Sequence, residues 1–366
     1  MAKQTYPLLL IVALLLSSCQ SIEQLSIDYM LPAEVSFPAA LKRVAVVNNM
    51  PAVPENKLIV SEEAEKKSEN ELTRLTNYYN GDAKLTTESL AEALAKENYF
   101  EEIVICDSAL RSKDVNPRES ALMQEEVQEL VQELDVDFLI ALENIQLRSI
   151  RKISYIRDWA TYYGTVDARV IPSVKIYLPN RKGPMVTVNG NDSIFWEEYG
   201  NGESVLRARL ISEDKLIEEA SVFAGTIPVK HLLPYWKTAN RYYFTGGSVG
   251  MRDAAVYAKE GKWDEAVKLW KQNYETKKGK KKMYAAFNVA LGYEMQDSIE
   301  AATEWVLKAQ IISRQIDKVD ELQGANGVTA ESIPNFYLTT LYVKELQERK
   351  EGMARLNVQM NRFDEH

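Results

Sequence analysis

The sequence predicts an α+β protein, with an N-terminal α/β layered domain that has a mixed sheet, followed by an all-α helical region. Three observations carry this prediction. Short β-branched runs alternate with amphipathic segments between residues 43 and 145, which is the order of an α/β layer. Two β-rich segments, 166–177 and 185–199, flank a turn of Pro, Asn, Arg, Lys and Gly at 179–184, as in an antiparallel hairpin. After residue 246, alanines and aromatic residues recur at helical spacing.

The elements of the layer follow in order along the chain. Residues 43–48, 103–106 and 136–145 are predicted strands, and the polar stretch 54–81 is expected to be partly helical and mobile. A threonine, Thr86 or Thr87, can cap the first helix. The second helix carries apolar residues at relative positions 0, 4, 7, 8 and 11, which form one helical face: Met123, Val127, Leu130, Val131 and Leu134.

The rest of the α/β domain is predicted to end in a helix and an aromatic segment. Ser212 and Glu213 open the helix, which ends near Gly225, and a short helical piece lies between two prolines at 228 and 234. The densest aromatic stretch follows at 235–244. We interpret it as core or interface packing, with a ligand platform as the alternative.

The start of the chain predicts its attachment. An apolar run at 7–16 leads into Leu-Ser-Ser-Cys, ending at Cys19, with Lys3 before it. This arrangement resembles the lipobox of bacterial lipoprotein signal peptides, which implies cleavage after residue 18 and a lipid (palmitate among its acyl chains) on Cys19. An ordinary secretory signal is the alternative. Gln20 after the cysteine favours the outer membrane, and we expect its periplasmic face.

Composition agrees with a folded body behind that anchor. Apolar residues make up 46% of the 366 residues and charged residues 27%. The net charge is −9, and it becomes −10 without the signal peptide, which disfavours nucleic acid and anionic lipid as partners. Once Cys19 is lipidated, only Cys106 remains, so no internal disulfide can form, and we predict a buried structural role for Cys106.

The predicted organisation has four parts: signal peptide 1–18, tether 19–38, α/β envelope domain 39–245 and helical domain 246–366. The order of strands and helices from residue 40 to 200, with Tyr99-Phe100 before the second strand, resembles the α/β domain of several periplasmic proteins. These are the Tol-Pal translocation protein, the curli secretion lipoprotein and the lipoprotein activators of penicillin-binding proteins. That resemblance implies a non-enzymatic binding or assembly module and carries over no site residues.

The helical region resembles tetratricopeptide repeats, in which small residues let two helices approach closely. The second unit begins 36 residues after the first, with Asp297 in place of the turn glycine, and a third helix is expected at 334–356. Taken whole, the chain resembles lipoproteins of the Bacteroidota that join such a domain to repeats. The repeat signature consists of Ala254, Tyr257, Gly261, Trp263, Ala266, Trp270, Ala290, Tyr293, Ala302 and Ala309.

Candidate chemistry is sparse, and we predict no catalytic residue, metal site or cofactor. The two histidines are His231, in an apolar setting, and His366, the last residue. The glycine-rich stretch 246–250 lacks the Lys-Ser/Thr of a phosphate loop, so a linker ending in a Ser248 helix cap is expected. The basic run 277–282 is predicted to be a solvated turn between repeats. Glu197 and Glu198, adjacent on a strand, should point to opposite faces.

Two functions remain open. The favoured one is a membrane-anchored envelope protein that binds or scaffolds unknown envelope proteins through its repeats. The alternative is a hydrolase-like enzyme with an acidic site built from Asp167, Asp192 or Glu197. A shared cleft for these carboxylates would favour the enzyme, and scattered carboxylates would disfavour it.

Overall fold

The computed structural model describes residues 22–51, 58–63, 65–66, 68–106, 108–112, 121–322 and 328–363. These residues form two compact units. The sheet unit comprises residues 33–235 and 358–363, and the helical unit comprises 22–32 and 236–357. Within the described residues, no helix combines the length and the apolar character that crossing a bilayer demands.

Strands and helices alternate first and helices dominate later, as the sequence predicts. The strands are β1 (Ile22–Leu31), β2 (Arg43–Asn48), β3 (Leu58–Glu63), β4 (Glu71–Asn80), β5 (Glu102–Cys106), β6 (Phe138–Ile156), β7 (Thr161–Tyr177), β8 (Val186–Asn189), β9 (Asp192–Gly200) and β10 (Tyr235–Phe244). The α-helices are α1 (Ala83–Lys96), α2 (Gln124–Glu133), α3 (Glu203–Arg209), α4 (Glu213–Thr226), α5 (Val229–Leu232), α6 (Val249–Lys259), α7 (Trp263–Thr276), α8 (Gly279–Glu294), α9 (Ile299–Ile316) and α10 (Pro334–Met360).

The sheet unit is built on one mixed sheet of eight strands. Its main path runs β3-β4-β6-β2-β5, and β7 pairs with β6, β8 and β9. Strand β2 is parallel to β5 and β6, whereas the other pairs are antiparallel. The predicted fold class, a mixed sheet followed by a helical region, is confirmed.

Helices cover the sheet because its strands present apolar residues. On one face α1 and α4 bury side chains such as Leu90, Leu94 and Leu216 against the sheet. On the other face α2 packs Val127 against the parallel strands. Ser212 accepts a hydrogen bond from the backbone N–H of Lys215, the capping contact predicted for α4.

Gly225 allows α1 and α4 to pack closely. A Cβ atom at this position would lie 2.6 Å from the backbone nitrogen of Leu90 and 2.7 Å from the carbonyl oxygen of Thr86. Gly225→Ala is therefore expected to lower the free energy of unfolding by about 2–3 kcal/mol, because backbone atoms cannot move aside as a side chain can. Urea unfolding followed by circular dichroism measures this change.

Gly202→Ala is the matched control, since no atom lies within 4 Å of its added Cβ. Its cost should stay below about 1 kcal/mol, the size of a helix N-cap preference. Alanine is the better helix former by about 1 kcal/mol. A Gly225→Ala protein as stable as wild type would therefore show a steric cost of only that size, which would contradict the predicted close contact.

In the helical unit, helices α6 to α9 follow one another through short turns, and β1, most of β10 and most of α10 belong to the same unit. Gly261 ends the α6–α7 turn region with φ +72°, and Asp297 takes the matching position between α8 and α9 with φ +57°. The left-handed conformation explains why the turn favours glycine. Ser248 caps α6 by accepting a hydrogen bond from the N–H of Met251 at 3.2 Å, as expected.

Several expectations differ from the structure. Residues 22–31 of the predicted tether form β1, because Leu25, Ile27, Tyr29 and Leu31 alternate and pack on one side. The predicted mobile stretch 54–81 contains β3, which is exposed at the edge of the sheet, and β4, which pairs with β3 and β6 and buries the polar residues Arg74, Thr76 and Asn77. The predicted hairpin partner 185–199 divides into β8 and β9, which both pair with β7.

The edge of the sheet explains a further correction. Among the strands that the structure describes, β5 pairs with β2 alone, and Ile105 in it is 38% exposed. Cys106 is half-buried and packs against the core beside α2, with its thiol 3.9 Å from the carbonyl oxygen of Ser108, so the full burial predicted for it is wrong while its packing role holds. A parallel neighbour on both sides would have buried it.

Candidate functional site

A cleft of about 570 Å³ lies within the helical unit and is the best candidate for a functional site. It is larger than a groove of about 390 Å³ on the sheet face. Strand β1 forms one wall, the α8–α9 turn and α10 form the others, and Trp236 stands at its rim. The lining side chains include Ile27, Asp28, Tyr29, Trp236, Glu294, Met295, Asp297, Arg349, Met353 and Leu356.

Strands β1 and β10 position one side of the cleft. Side-chain hydrogen bonds join Ser26 to Asn240 at 3.2 Å and Asp28 to Thr238 at 2.6 Å. Positions rise along one strand as they fall along the other, so the two strands run antiparallel. Side chains of β10 alternate between the two faces of the strand, and Trp236 lies on the solvent-exposed face, where it is 67% exposed.

A buried ionic network forms the floor. The Glu294 side chain is fully buried, and Arg241 donates to both of its carboxylate oxygens, from Nε at 2.8 Å and from Nη2 at 2.9 Å. Tyr342 donates to Glu294 at 2.6 Å, and Arg349 Nη1 does so at 3.3 Å. Glu345 also accepts from Arg241, at 2.5 Å.

Two donors of the network, Arg241 and Tyr342, stay protonated at neutral pH. Burial alone would lower the pKa of Arg241, but its hydrogen bonds and charge interaction with Glu294 outweigh burial and raise that pKa. Burial, reinforced by the Glu294 charge, raises the pKa of Tyr342 well above its ordinary value. Arg241 therefore stays charged and Tyr342 stays a donor, so the floor is rigid and its hydrogen bonds are satisfied.

Charge and surface character define what the cleft can bind. Three carboxylates line it, those of Asp28, Glu294 and Asp297, with the guanidinium of Arg349. Arg241 neutralises the buried Glu294, so the exposed carboxylates are those of Asp28 and Asp297. Arg349 is already engaged, with Nη2 donating to Asp297 at 2.6 Å. The exposed indole of Trp236 adds an apolar surface. Such a lining favours a cationic group attached to an apolar or aromatic one.

The repeat-signature residues lie together in the core of the helical unit. The five alanines and Trp270 are completely buried. The aromatic residues Tyr257, Trp263 and Tyr293 are half-buried and pack against that core, while Gly261 lies in the turn. The alanines are Ala254, Ala266, Ala290, Ala302 and Ala309.

His231 has a structural contact in the sheet unit. Its Nδ1 lies 2.8 Å from a carboxylate oxygen of Glu34, and its backbone carbonyl accepts from the N–H groups of Glu34 and Val35. These contacts tie residues 34–35 to the end of α5. His366 and Cys19 lie outside the described residues. Among the residues that are described, no group of three or more His, Cys, Asp or Glu side chains could hold a metal ion.

The predicted acidic residues are only partly brought together. Asp167 and Asp192 line the groove of about 390 Å³ on the sheet face, together with Arg148 and Arg169. Glu197 does not line it and instead accepts a hydrogen bond from the Tyr163 hydroxyl at 2.6 Å. Asp192 is also paired with Lys230 at 3.4 Å.

The paired glutamates behave as expected. On β7, Glu197 lies opposite Thr165 and Glu198 lies opposite Gly164. The buried side chains of Leu206 and Leu210 lie next to Gly164. Adjacent strand positions point to opposite faces, so the two carboxylates share no site.

Of the network residues, Glu294 and Arg349 were not singled out by the sequence, and Arg241 was noted only as a member of the aromatic stretch 235–244. Glu294 ends a helix whose preceding residues from 285 to 292 are all buried. A lone acid at the end of such an apolar run signals a buried partner, since an unpaired charge there would be costly. The side chains of the aromatic stretch 235–244 are distributed over both faces of β10, with Tyr243 and Phe244 in the core and Trp236 exposed.

Alkaline pH is expected to destabilise the protein through its tyrosines. The hydrogen bond to Glu197 raises the pKa of Tyr163 to about 12, and burial raises the pKa values of Tyr177, Tyr243 and Tyr342. The folded state thus keeps protons that the unfolded state releases. This stabilisation is complete below the unfolded pKa of about 10 and is lost as the pH rises towards 12.

Urea unfolding at several pH values between about 9 and 12 checks this expectation, with tyrosinate absorbance recorded in parallel. We expect the folded protein to ionise fewer phenols than the denatured one at pH 11. Equal tyrosinate absorbance in both states, with constant stability across this range, would contradict it.

Comparison with known proteins gives two family matches. A family described as Domain of unknown function (DUF8603) matches residues 41–244, more than half of the chain. A second, Domain of unknown function (DUF6340), matches residues 252–348 in the helical unit. Neither a curated protein nor a solved structure matches the chain. By the extent of the first match, the chain belongs to the DUF8603 family.

Proposed function

We propose that this protein is a lipid-anchored lipoprotein of the cell envelope that binds a partner protein without catalysing a reaction. The anchor is the lipidated Cys19, at the outer membrane and facing the periplasm. The helices of the repeat-like region, together with β1, hold the partner. This proposal extends the lipobox and repeat resemblances of the sequence.

The observation that carries the proposal is the cleft of about 570 Å³ in the helical unit. Its floor is a fully hydrogen-bonded ionic network, so its shape is fixed before a partner arrives. Its rim exposes a tryptophan, which is among the residues that dominate binding energy at interfaces.

The partner should present a basic side chain next to an apolar one. With Glu294 neutralised by Arg241, the carboxylates of Asp28 and Asp297 still outnumber the guanidinium of Arg349 and favour a cation, and Trp236 offers an aromatic face within the same cleft. A peptide segment supplies both groups in adjacent positions. Its binding should weaken with added salt, because the attraction is partly between exposed charges.

Anchoring is tested by labelling cells with radioactive palmitate. Wild-type protein should incorporate the label and sediment with the outer membrane, and Cys19→Ser should do neither. Cys106→Ser is the matched control and should behave as wild type. Label that persists in Cys19→Ser would remove the anchor from the proposal.

Binding is tested by quantitative affinity purification of the full-length protein from envelope extracts. Trp236→Ala should lose at least one specifically retained protein, because the variant removes the rim aromatic and leaves the buried network intact. Trp159→Ala is the control, since Trp159 is 68% exposed and lies in the sheet unit. Identical sets of retained proteins for wild type and both variants would argue against the cleft.

The hydrolase alternative has one supporting observation, the shared groove of Asp167 and Asp192. An Asp167→Asn, Asp192→Asn double variant should abolish turnover of chromogenic esters and glycosides if that groove is catalytic, whereas Glu197→Gln should not. We expect no turnover by wild-type protein, and activity lost only in the double variant would favour the enzyme.

A further inference from the structure

The helical unit carries a concentration of positive charge that the net charge conceals. Residues 268–282 contain seven lysines and a single acidic residue, Glu275, in a chain of net charge −9. These residues end α7 and begin α8, and Lys308 of α9 joins them. We call residues 268–282 together with Trp305 and Lys308 the lysine–aromatic patch.

Aromatic rings lie among these lysines. The ammonium nitrogen of Lys282 is 4.3 Å from the ring centroid of Tyr274, and that of Lys308 is 4.0 Å from Trp305. Lys271 lies 4.8 Å from Tyr293 and 5.6 Å from Trp305. The Tyr274 and Trp305 rings meet edge to face at 5.0 Å, so the patch is continuous from α7 to α9.

Carboxylates do not neutralise the patch. In the described part of the chain, none of its lysines has a carboxylate oxygen within 4 Å, although other lysines do. Lys259, for example, lies 2.8 Å from Glu23, and Lys84 pairs with Glu88 one helical turn away. The lysines that do have carboxylate partners lie elsewhere in both units.

The lysines also sit where they weaken their own helix. Helix α8 begins at Gly279, and lysines occupy its first turn with no acidic residue there. Positive charge at a helix N-terminus opposes the helix dipole. These lysines therefore destabilise the start of α8. An anion bound next to this helix end would offset that unfavourable charge.

We propose that the lysine–aromatic patch docks on an anionic phospholipid surface. Clusters of four to eight basic residues bind anionic headgroups, and Trp and Tyr prefer the interface between headgroups and acyl chains. Ile311 lies three residues after Lys308 on the same helix face and is 62% exposed, so it can enter that interface. The inference extends the proposed anchoring, because a chain tethered through Cys19 meets such a surface at high local concentration.

Vesicle co-sedimentation of residues 20–366, which contain the whole described fold and lack Cys19, tests this docking. Wild-type protein should bind vesicles with about one-third phosphatidylglycerol at low salt, and neither phosphatidylcholine vesicles nor anionic vesicles at high salt. Replacing Lys278, Lys280 and Lys281 by Gln should weaken binding on the order of 100-fold, since each basic residue contributes about fivefold.

The matched control replaces Lys84, Lys215 and Lys344 by Gln, which removes the same charge from side chains that are 77%, 66% and 72% exposed. This control should bind within about threefold of wild type, because its lysines lie outside the patch. Circular dichroism must show both variants folded, and Ile311→Ser is a second, charge-neutral variant that should also weaken binding.

Three results would overturn the proposal: no binding to anionic vesicles, equal binding to neutral ones, or an equal loss in the control. Tighter binding to single-stranded DNA or to polyglutamate than to vesicles would assign the patch to another partner. Because the tested chain lacks Cys19, these outcomes are independent of whether palmitate labels Cys19.

Discussion

Replacing Glu294 by Gln is expected to lower the free energy of unfolding by about 3–5 kcal/mol. The variant keeps the size of the side chain and removes its charge, so Arg241 loses the carboxylate that receives two of its N–H groups. Arg241 is buried, with a side chain 6% exposed, and it cannot turn to water. Urea unfolding followed by circular dichroism measures the loss.

The matched control is Glu345→Gln. Glu345 accepts from the same Arg241 but is 38% exposed, so solvent can replace it and the loss should stay below about 1 kcal/mol. A double variant, Arg241→Met with Glu294→Met, should recover at least half of the stability, because an apolar pair avoids the unpaired charge. Equal losses for Glu294→Gln and Glu345→Gln would contradict the network described here.

Trp270→Ala is expected to cost about 3–5 kcal/mol of stability as well. The Trp270 side chain is fully buried between α7 and α8 and packs towards Gly292 and Tyr243. Its indole nitrogen has no hydrogen-bond partner among the described residues, so packing alone holds it. Trp270→Phe should cost less, since the ring that remains fills part of the cavity.

Trp236→Ala is the stability control for this prediction. Its residue is 67% exposed, and the change should stay within about 0.5 kcal/mol. Similar losses at both tryptophans would mean that Trp270 is not the packing centre of the helical unit.

The fold class follows from the sequence because periodicity reports burial. The strand at 43–48 and the helix of Val127 lie where a continuous β-branched run and helical spacing predict them. Strand β1 was missed although its residues 25–31 alternate, because the partner strand β10 is more than 200 residues away. A local sequence pattern cannot show that two strands so far apart in the chain are paired.

The cleft was beyond sequence reasoning for a similar reason. Arg241, Glu294 and Arg349 are ordinary surface residue types, and only the tertiary fold buries them around one another. The spacing of Tyr342, Glu345 and Arg349 on one face of α10 is visible in the sequence, but it does not name their partners.

The net charge alone is a coarse guide to partners. A total of −9 disfavours anionic surfaces only if charge is evenly spread, and seven lysines within 268–282 show that it is not. The basic run was predicted to be a solvated turn, whereas α8 begins at Gly279, so three of its lysines lie on the first helical turn.

Photo-cross-linking in intact cells tests the central claim, that the cleft of the helical unit binds a partner. A benzophenone side chain placed at Trp236 should give a discrete adduct with one envelope protein, and the same group at the equally exposed Trp159 should not. Asp297→Lys, which reverses a lining charge, should reduce the Trp236 adduct. Adducts of equal yield at both positions, or none at Trp236, would contradict the account.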